Sequence, residues 1–228
     1  MANSVRNLIG PLFSGSFWRG KTASWEARRF DRRYGTDTLR RVAVADMAGV
    51  APALAKHAVH YEASAIPKFR RGMRVVERVL GPALATYEFL DVGSGKGLVV
   101  MLASRYPFTQ IHGVELAVQL HEVALSNLDR FRVQEPRAAR VTLRNANVLE
   151  TNLPTDNLVV YLYNPFDAEL MAQFVDRICR SSTKRDVIVV YVNPLHQHVF
   201  FEHGFILLAD EGTLSVLRRR FEPDANRA

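Results

Sequence analysis

From residue 87 onward, short apolar runs alternate with stretches of helical period at the intervals expected of βα units. The runs are Tyr87–Val92, Gln110–Val114, Arg140–Leu143, Asn157–Tyr163, Asp186–Val192, Gly204–Ala209 and Gly212–Arg219. Between the first five lie helix candidates at Gly97–Arg105, Ala117–Arg130 and Asp167–Ser181, while the stretch around Leu153 reads as loop. Only Asp210-Glu211 separates the last two runs, which suits an antiparallel hairpin closing an otherwise parallel sheet. The pattern predicts an α/β fold with a seven-stranded, mostly parallel, doubly wound sheet.

The first third of the chain has a different rhythm. Trp25, Phe30, Tyr34, Leu39 and Val42, then Ala51, Leu54, Ala58 and Tyr61, recur near helical spacing, punctuated by Gly35, the Gly49 to Pro52 segment and Pro67. From Phe69 to Leu80 an amphipathic helix is predicted, stopped by Gly81-Pro82. Residues 1–85 therefore read as a helical N-terminal extension and 86–228 as the sheet domain.

Charge sharpens that division. The 228 residues carry a formal +7, but residues 1–85 hold 15 Lys and Arg against 6 Asp and Glu, whereas 86–228 hold 15 against 17. A field concentrated in the extension favours an acidic partner: nucleic acid, an acidic protein or an anionic membrane surface. With 48% apolar and 23% charged residues the chain is an ordinary globular sequence, which excludes disorder along its whole length. The single cysteine, Cys179, permits no internal disulfide, and no zinc-finger spacing is present, so neither a structural metal nor an oxidising compartment is expected. No window approaches a transmembrane span and the N-terminus lacks a signal-like apolar core, which makes the cytoplasm the expected location.

The most informative stretch is Phe89-Leu90-Asp91-Val92-Gly93-Ser94-Gly95-Lys96-Gly97-Leu98: strand, acid, three alternate glycines, helix. Such glycines let the chain turn sharply and bring backbone N–H groups close to a ligand at a helix N-terminus. Leu90 and Gly97 occupy the positions where a phosphate-binding Walker loop needs glycine and Ser/Thr, so that chemistry is rejected. The dinucleotide fingerprint G-x-G-x-x-G is also missing, which weakens an oxidoreductase reading. Eighteen residues beyond Gly97, Glu115 ends the second strand. An ionised acid is acceptor-only, so a carboxylate there suits the two vicinal hydroxyls of a ribose.

Asp91-x-Gly93-x-Gly95-x-Gly97, followed by Val114-Glu115, resembles motif I and its downstream acid in class I S-adenosylmethionine-dependent methyltransferases, over roughly residues 86–220. The resemblance implies S-adenosylmethionine as methyl donor, with Asp91, Gly93, Ser94, Gly95 and Gly97 near its methionine part. It also implies Glu115 on the ribose and Asn147, where many relatives have Asp, on the adenine.

After the fourth strand, Asn164-Pro165-Phe166 resembles the Asn/Asp-Pro-Pro-aromatic motif of amino-group N-methyltransferases, without its second proline. Proline is expected to hold Asn164 extended, so that its side-chain and main-chain oxygens converge on a substrate amine while Phe166 supplies a face. The run Asp91 to Val100 with Gly113-Val114-Glu115 also resembles the Dot1-like lysine methyltransferases and their bacterial relatives. By that likeness Tyr61, in Tyr61-Glu62-Ala63-Ser64, covers the cofactor, and a lysine acceptor is neutralised among Tyr163, Phe166 and Tyr61. The expected activity is N-methylation of an amino group, a protein lysine first, a nucleic-acid base or small molecule second. A non-catalytic, basic nucleic-acid-binding protein is the alternative class. Lys96 is expected to face solvent or substrate, Arg218-Arg219-Arg220 to be an exposed strand end, Asn193-Pro194 to be a turn, and Cys179 to be a small core residue.

Overall fold

The computed structural model describes residues 15–40, 66–181 and 185–220. Its helices are α1 (Gly15–Tyr34), α2 (Ile66–Leu80), α3 (Leu98–Ala103), α4 (Val118–Arg132), α5 (Ala168–Ser181) and α6 (His198–Glu202). Its strands are β1 (Glu88–Val92), β2 (Ile111–Glu115), β3 (Val141–Asn145), β4 (Leu158–Tyr163), β5 (Val187–Val192), β6 (Ile206–Asp210) and β7 (Leu214–Arg219). All seven lie within two residues of the apolar runs in the sequence.

They form one sheet in the order β3-β2-β1-β4-β5-β7-β6. Strands β1 to β5 pair in parallel, and β7 runs antiparallel between β5 and β6. Leu158–Tyr163 and Val187–Val192 are continuous apolar runs because both faces of the central strands are covered. Strand order reverses between β1 and β4, so the crevice that such sheets use for ligands opens at the carboxyl ends of these two strands.

Two apolar layers flank the sheet. One contains α5, α6 and the side chains of Leu90, Val160, Leu162 and Tyr191. The other holds α3 with Phe89, Tyr161 and Val190, and it also takes in α1 through Ala27, Phe30 and Tyr34 and α2 through Phe69, Met73 and Val76. The two described helices of the basic extension thus share one core with the sheet. At Gly72 helix α2 approaches β5 so closely that a Cβ would lie 2.4 Å from Val190 Cγ1, so only glycine permits the contact.

Several sequence expectations change here. Pro67 does not precede α2; it lies in its first turn, where a missing N–H costs no hydrogen bond. Leu39 lies beyond α1, whose end is marked by Gly35 at φ +67°. Arg218 is only 9% exposed and pairs with Asp186, which also accepts from Tyr87 Oη at 2.7 Å. The antiparallel register sets Arg218 opposite Ile188, two residues from that carboxylate, so the strand end is partnered instead of open. Tyr61, with residues 41–65, lies outside the described residues.

Candidate active site at the carboxyl edge of β1 and β4

Gly93, Gly95 and Gly97 all have positive φ, +72°, +53° and +83°, conformations that L side chains rarely adopt. The loop they build is largely satisfied from within. Gly93 and Ser94 donate to Val114 O at 2.9 and 3.1 Å, Gly97 donates to Ser94 O at 2.9 Å, and Gly95 donates to Glu115 Oε2 at 2.8 Å. The expected row of ligand-seeking amides is therefore committed at these four positions, because a buried tight turn must pair its own donors. The loop offers a close approach instead: a Cβ on Gly93 would meet only Pro165 Cβ, at 3.7 Å.

Glu115 stands at the centre of this arrangement, 8% exposed. Its Oε1 accepts from Ala117 N–H and its Oε2 from Gly95 N–H, both at 2.8 Å. Burial raises its pKa, and these backbone N–H groups oppose the shift. Each oxygen keeps a lone pair, so the carboxylate can still accept two hydroxyls. Asp91 lies beneath, 3% exposed, its pKa driven well above the ordinary carboxylate range by burial and then by the charge of Glu115. Two buried acids that repel each other make an electronegative environment that a cationic ligand would relieve. Ser94 Oγ is buried beside Gly113 and has no hydrogen-bond partner among the described residues, a group that a polar ligand would satisfy.

Lys96 departs from expectation. Its side chain is 1% exposed and its Nζ lies 3.1 Å from Asp37 Oδ2. The same junction is fixed by Asn127, whose Nδ2 donates to Lys96 O and Asp37 O and whose Oδ1 accepts from Asp37 N–H. Asp31 in turn holds Thr36 and Thr38, setting the turn that carries Asp37.

The end of β4, across the crevice, is equally specific. Asn164 has φ +41° and is not extended; asparagine tolerates this region best among non-glycine residues. Its Oδ1 accepts from Tyr191 Oη at 3.2 Å, so one of the two expected convergent oxygens already has a donor. Burial pushes the Tyr191 phenol up to about 12. On the neighbouring strand Asn193 repeats the feature: it precedes Pro194, has φ +50°, and its Oδ1 accepts from Lys68 Nζ at 3.0 Å. Lys68 Nζ also lies 5.7 Å from the ring centre of Tyr163. Phe166 is half-buried against Phe174. Strained asparagines at the carboxyl ends of adjacent strands were not visible in the sequence beyond the repeated Asn-Pro dipeptide.

Asn147 is half-buried and its Oδ1 caps the following turn by accepting from Leu149 N–H at 3.0 Å, which leaves one lone pair. Among the described residues no group of three or more His, Cys, Asp or Glu could hold a metal.

No family model and no curated protein matches the chain. Solved structures do. A protein of Haemophilus influenzae named as a methylase aligns with TM-score 0.51 at 20% identity, over 68% of this chain and 100% of that one. The T. thermophilus 16S rRNA guanine-N2 methyltransferase, solved with S-adenosylmethionine and guanosine, aligns with TM-score 0.54 at 17% identity, over 70% of this chain and 44% of that one. This chain thus spans less than half of the second relative. At these identities the likeness is one of architecture: the fold is that of the class I S-adenosylmethionine-dependent methyltransferases. No described helix is long and apolar enough to cross a membrane.

Proposed function

We propose that the chain is an S-adenosylmethionine-dependent methyltransferase that methylates an amino nitrogen in the crevice between the glycine loop and Asn164-Pro165-Phe166. The observation that carries this is the approach of Gly93 to Pro165, 3.7 Å from where a side chain would begin, with Glu115 bonded into the same loop. The donor, when bound, supplies an electrophilic methyl group on a sulfonium.

Glu115 holds the ribose through its two remaining lone pairs, and Asp91 provides the negative field for the donor's positive charges. Asn147 Oδ1 accepts from the adenine amino group. On the far wall, Asn164 presents its oxygen to the acceptor N–H, Tyr191 fixes the amide, and Phe166 excludes water. Transfer from a sulfonium needs alignment and desolvation more than a general base when the amine is neutral. Of the acceptors, a protein lysine is supported by the Dot1-like sequence resemblance and the Tyr163 and Phe166 wall, and a base amine by the Asn-Pro-aromatic order.

Calorimetry with the donor, followed by transfer of labelled methyl groups to separated protein and RNA fractions, tests this reading. Micromolar binding and labelling that Asn164→Ala abolishes are expected. A protein that takes up no donor would overturn the proposal.

A further inference from the structure

Away from the carboxyl-edge crevice, α1, α2 and the end of α3 enclose a cavity of about 370 Å³. Its wall includes Trp25, Arg29, Arg33, Tyr34, Arg70 and Arg105. Trp25 is 54% exposed, although it is the largest apolar side chain of α1 described. Arg29 lies 5.6 Å from the centre of its ring, and Arg33 lies 5.2 Å from that of Tyr34. Arg70 and Arg105 spend charge on Glu26 and Glu135. Among the described residues Arg29 and Arg33 have no carboxylate partner, which leaves two unneutralised guanidiniums beside an open indole.

Nothing in the methyl-transfer site uses these groups. We infer that this cavity is a docking site for an unpaired nucleic-acid strand, with Trp25 stacking a base and Arg29 and Arg33 neutralising adjacent phosphates. Planar guanidiniums bind phosphate as a fork, and exposed aromatics between cations are the usual platform for single strands. An acidic peptide would be drawn by the same charge but has no use for the indole face.

The placement relates the cavity to the crevice. Ile66 and Arg70 of α2 line the cavity, while Lys68, on the opposite side of the same helical turn, reaches Asn193 at the end of β5. One helix diameter, ~10 Å, separates them, a span of one or two nucleotides. The inference deepens the proposed function, since it makes a nucleic-acid base amine the acceptor; strand binding by itself does not depend on that function.

The test measures fluorescence anisotropy with a labelled 12-nucleotide single-stranded RNA, the same DNA sequence, the RNA duplex and poly-glutamate. The full chain is compared with Trp25→Ala, Arg29→Ala/Arg33→Ala and, as a control, Arg180→Ala on the other side of the sheet. Expected are at least tenfold weaker single-strand binding for the double variant, with the salt slope reduced by about two, and about a tenfold loss for Trp25→Ala. Arg180→Ala should bind as the parent does, and the RNA and DNA arms identify the sugar preferred. Equal losses for Arg180→Ala, unchanged binding in the double variant, or preference for duplex or poly-glutamate would overturn the inference. Donor calorimetry on the same proteins separates the two claims: strand binding without donor uptake refutes only the proposed function, and donor uptake without strand binding refutes only this site.

Discussion

Lys96 Nζ, inside the glycine loop, lies 3.1 Å from Asp37 Oδ2 in the segment after α1. The glycine loop is thereby braced from behind by the N-terminal extension, at a lysine that is 1% exposed against an aspartate that is 42% exposed. Removing the acid strands a buried ammonium, whereas removing the lysine removes the need for the acid. Asp37→Ala is expected to cost about 1–2 kcal/mol, less than a fully buried pair because the aspartate is open to water. Lys96→Met in that background should recover most of it. Thermal melts of the two single variants and the double variant check this, and additive losses would contradict it.

The paired acids give a pH dependence of definite sign. Asp91 and Glu115 have raised pKa values in the folded chain, so the fold binds their protons more tightly than the unfolded chain does. Their contribution to stability is fully present below about pH 4, near the unperturbed values, and is lost as pH rises through the raised ones. Asp91→Asn should therefore melt progressively higher than the parent between pH 4 and 8, with no donor present. A positively charged ligand reverses the preference, so donor binding should strengthen with pH over that window and release protons. Melting curves and calorimetry in buffers of different ionisation enthalpy measure both, and a constant gap between the two melting profiles would count against the pairing.

Tyr191 Oη donates to Asn164 Oδ1, and with its pKa near 12 it stays protonated at ordinary pH. Tyr191→Phe keeps the ring in the core and loses the bond to Asn164, worth about 1 kcal/mol, together with the longer one that Tyr191 Oη accepts from His196 N–H at 3.4 Å. The expected result is a fall in kcat of about fivefold to tenfold with unchanged donor affinity. Loss of donor affinity instead would place Asn164 on the cofactor side.

Gly113 in β2 has Ser94 Cβ and Oγ at 3.0 Å and Leu143 Cδ2 at 2.7 Å from where a Cβ would stand. Gly113→Ala should displace the glycine loop and cost about 1–3 kcal/mol. Donor affinity should fall more than tenfold even where the variant remains folded. Retained affinity would show that the loop tolerates movement at Ser94.

The strands were legible because each central one is buried on both faces and must be apolar throughout. Leu158–Tyr163 and Val187–Val192 announce themselves in this way. Glycine spacing located the loop, and the strand-terminal acid located Glu115. Features settled by tertiary contact were not legible. Lys96 is a charged residue in a polar loop, and only Asp37, 59 positions away, explains its burial. Asn164, in its left-handed turn, takes its side-chain partner from Tyr191, 27 positions on. Arg218 resembled an open end because its partner, Asp186, lies just before β5, 32 positions away. Trp25 and Arg33 recur on one helix, but their cavity is completed by Arg70 of α2 and by Arg105 in the turn after α3.

Gly72 seats the backbone of α2 directly on the Val190 side chain, with no side chain of its own in the way, so α2 has little freedom to slide. That helix bears Arg70 at the cavity and Lys68 at the crevice. For a strand held at the arginines, the interval to the reacting position is set by the body of the protein. The nucleotide modified would then be selected by its distance along the strand, as a jig selects where a hole is drilled, and not by reading its neighbours.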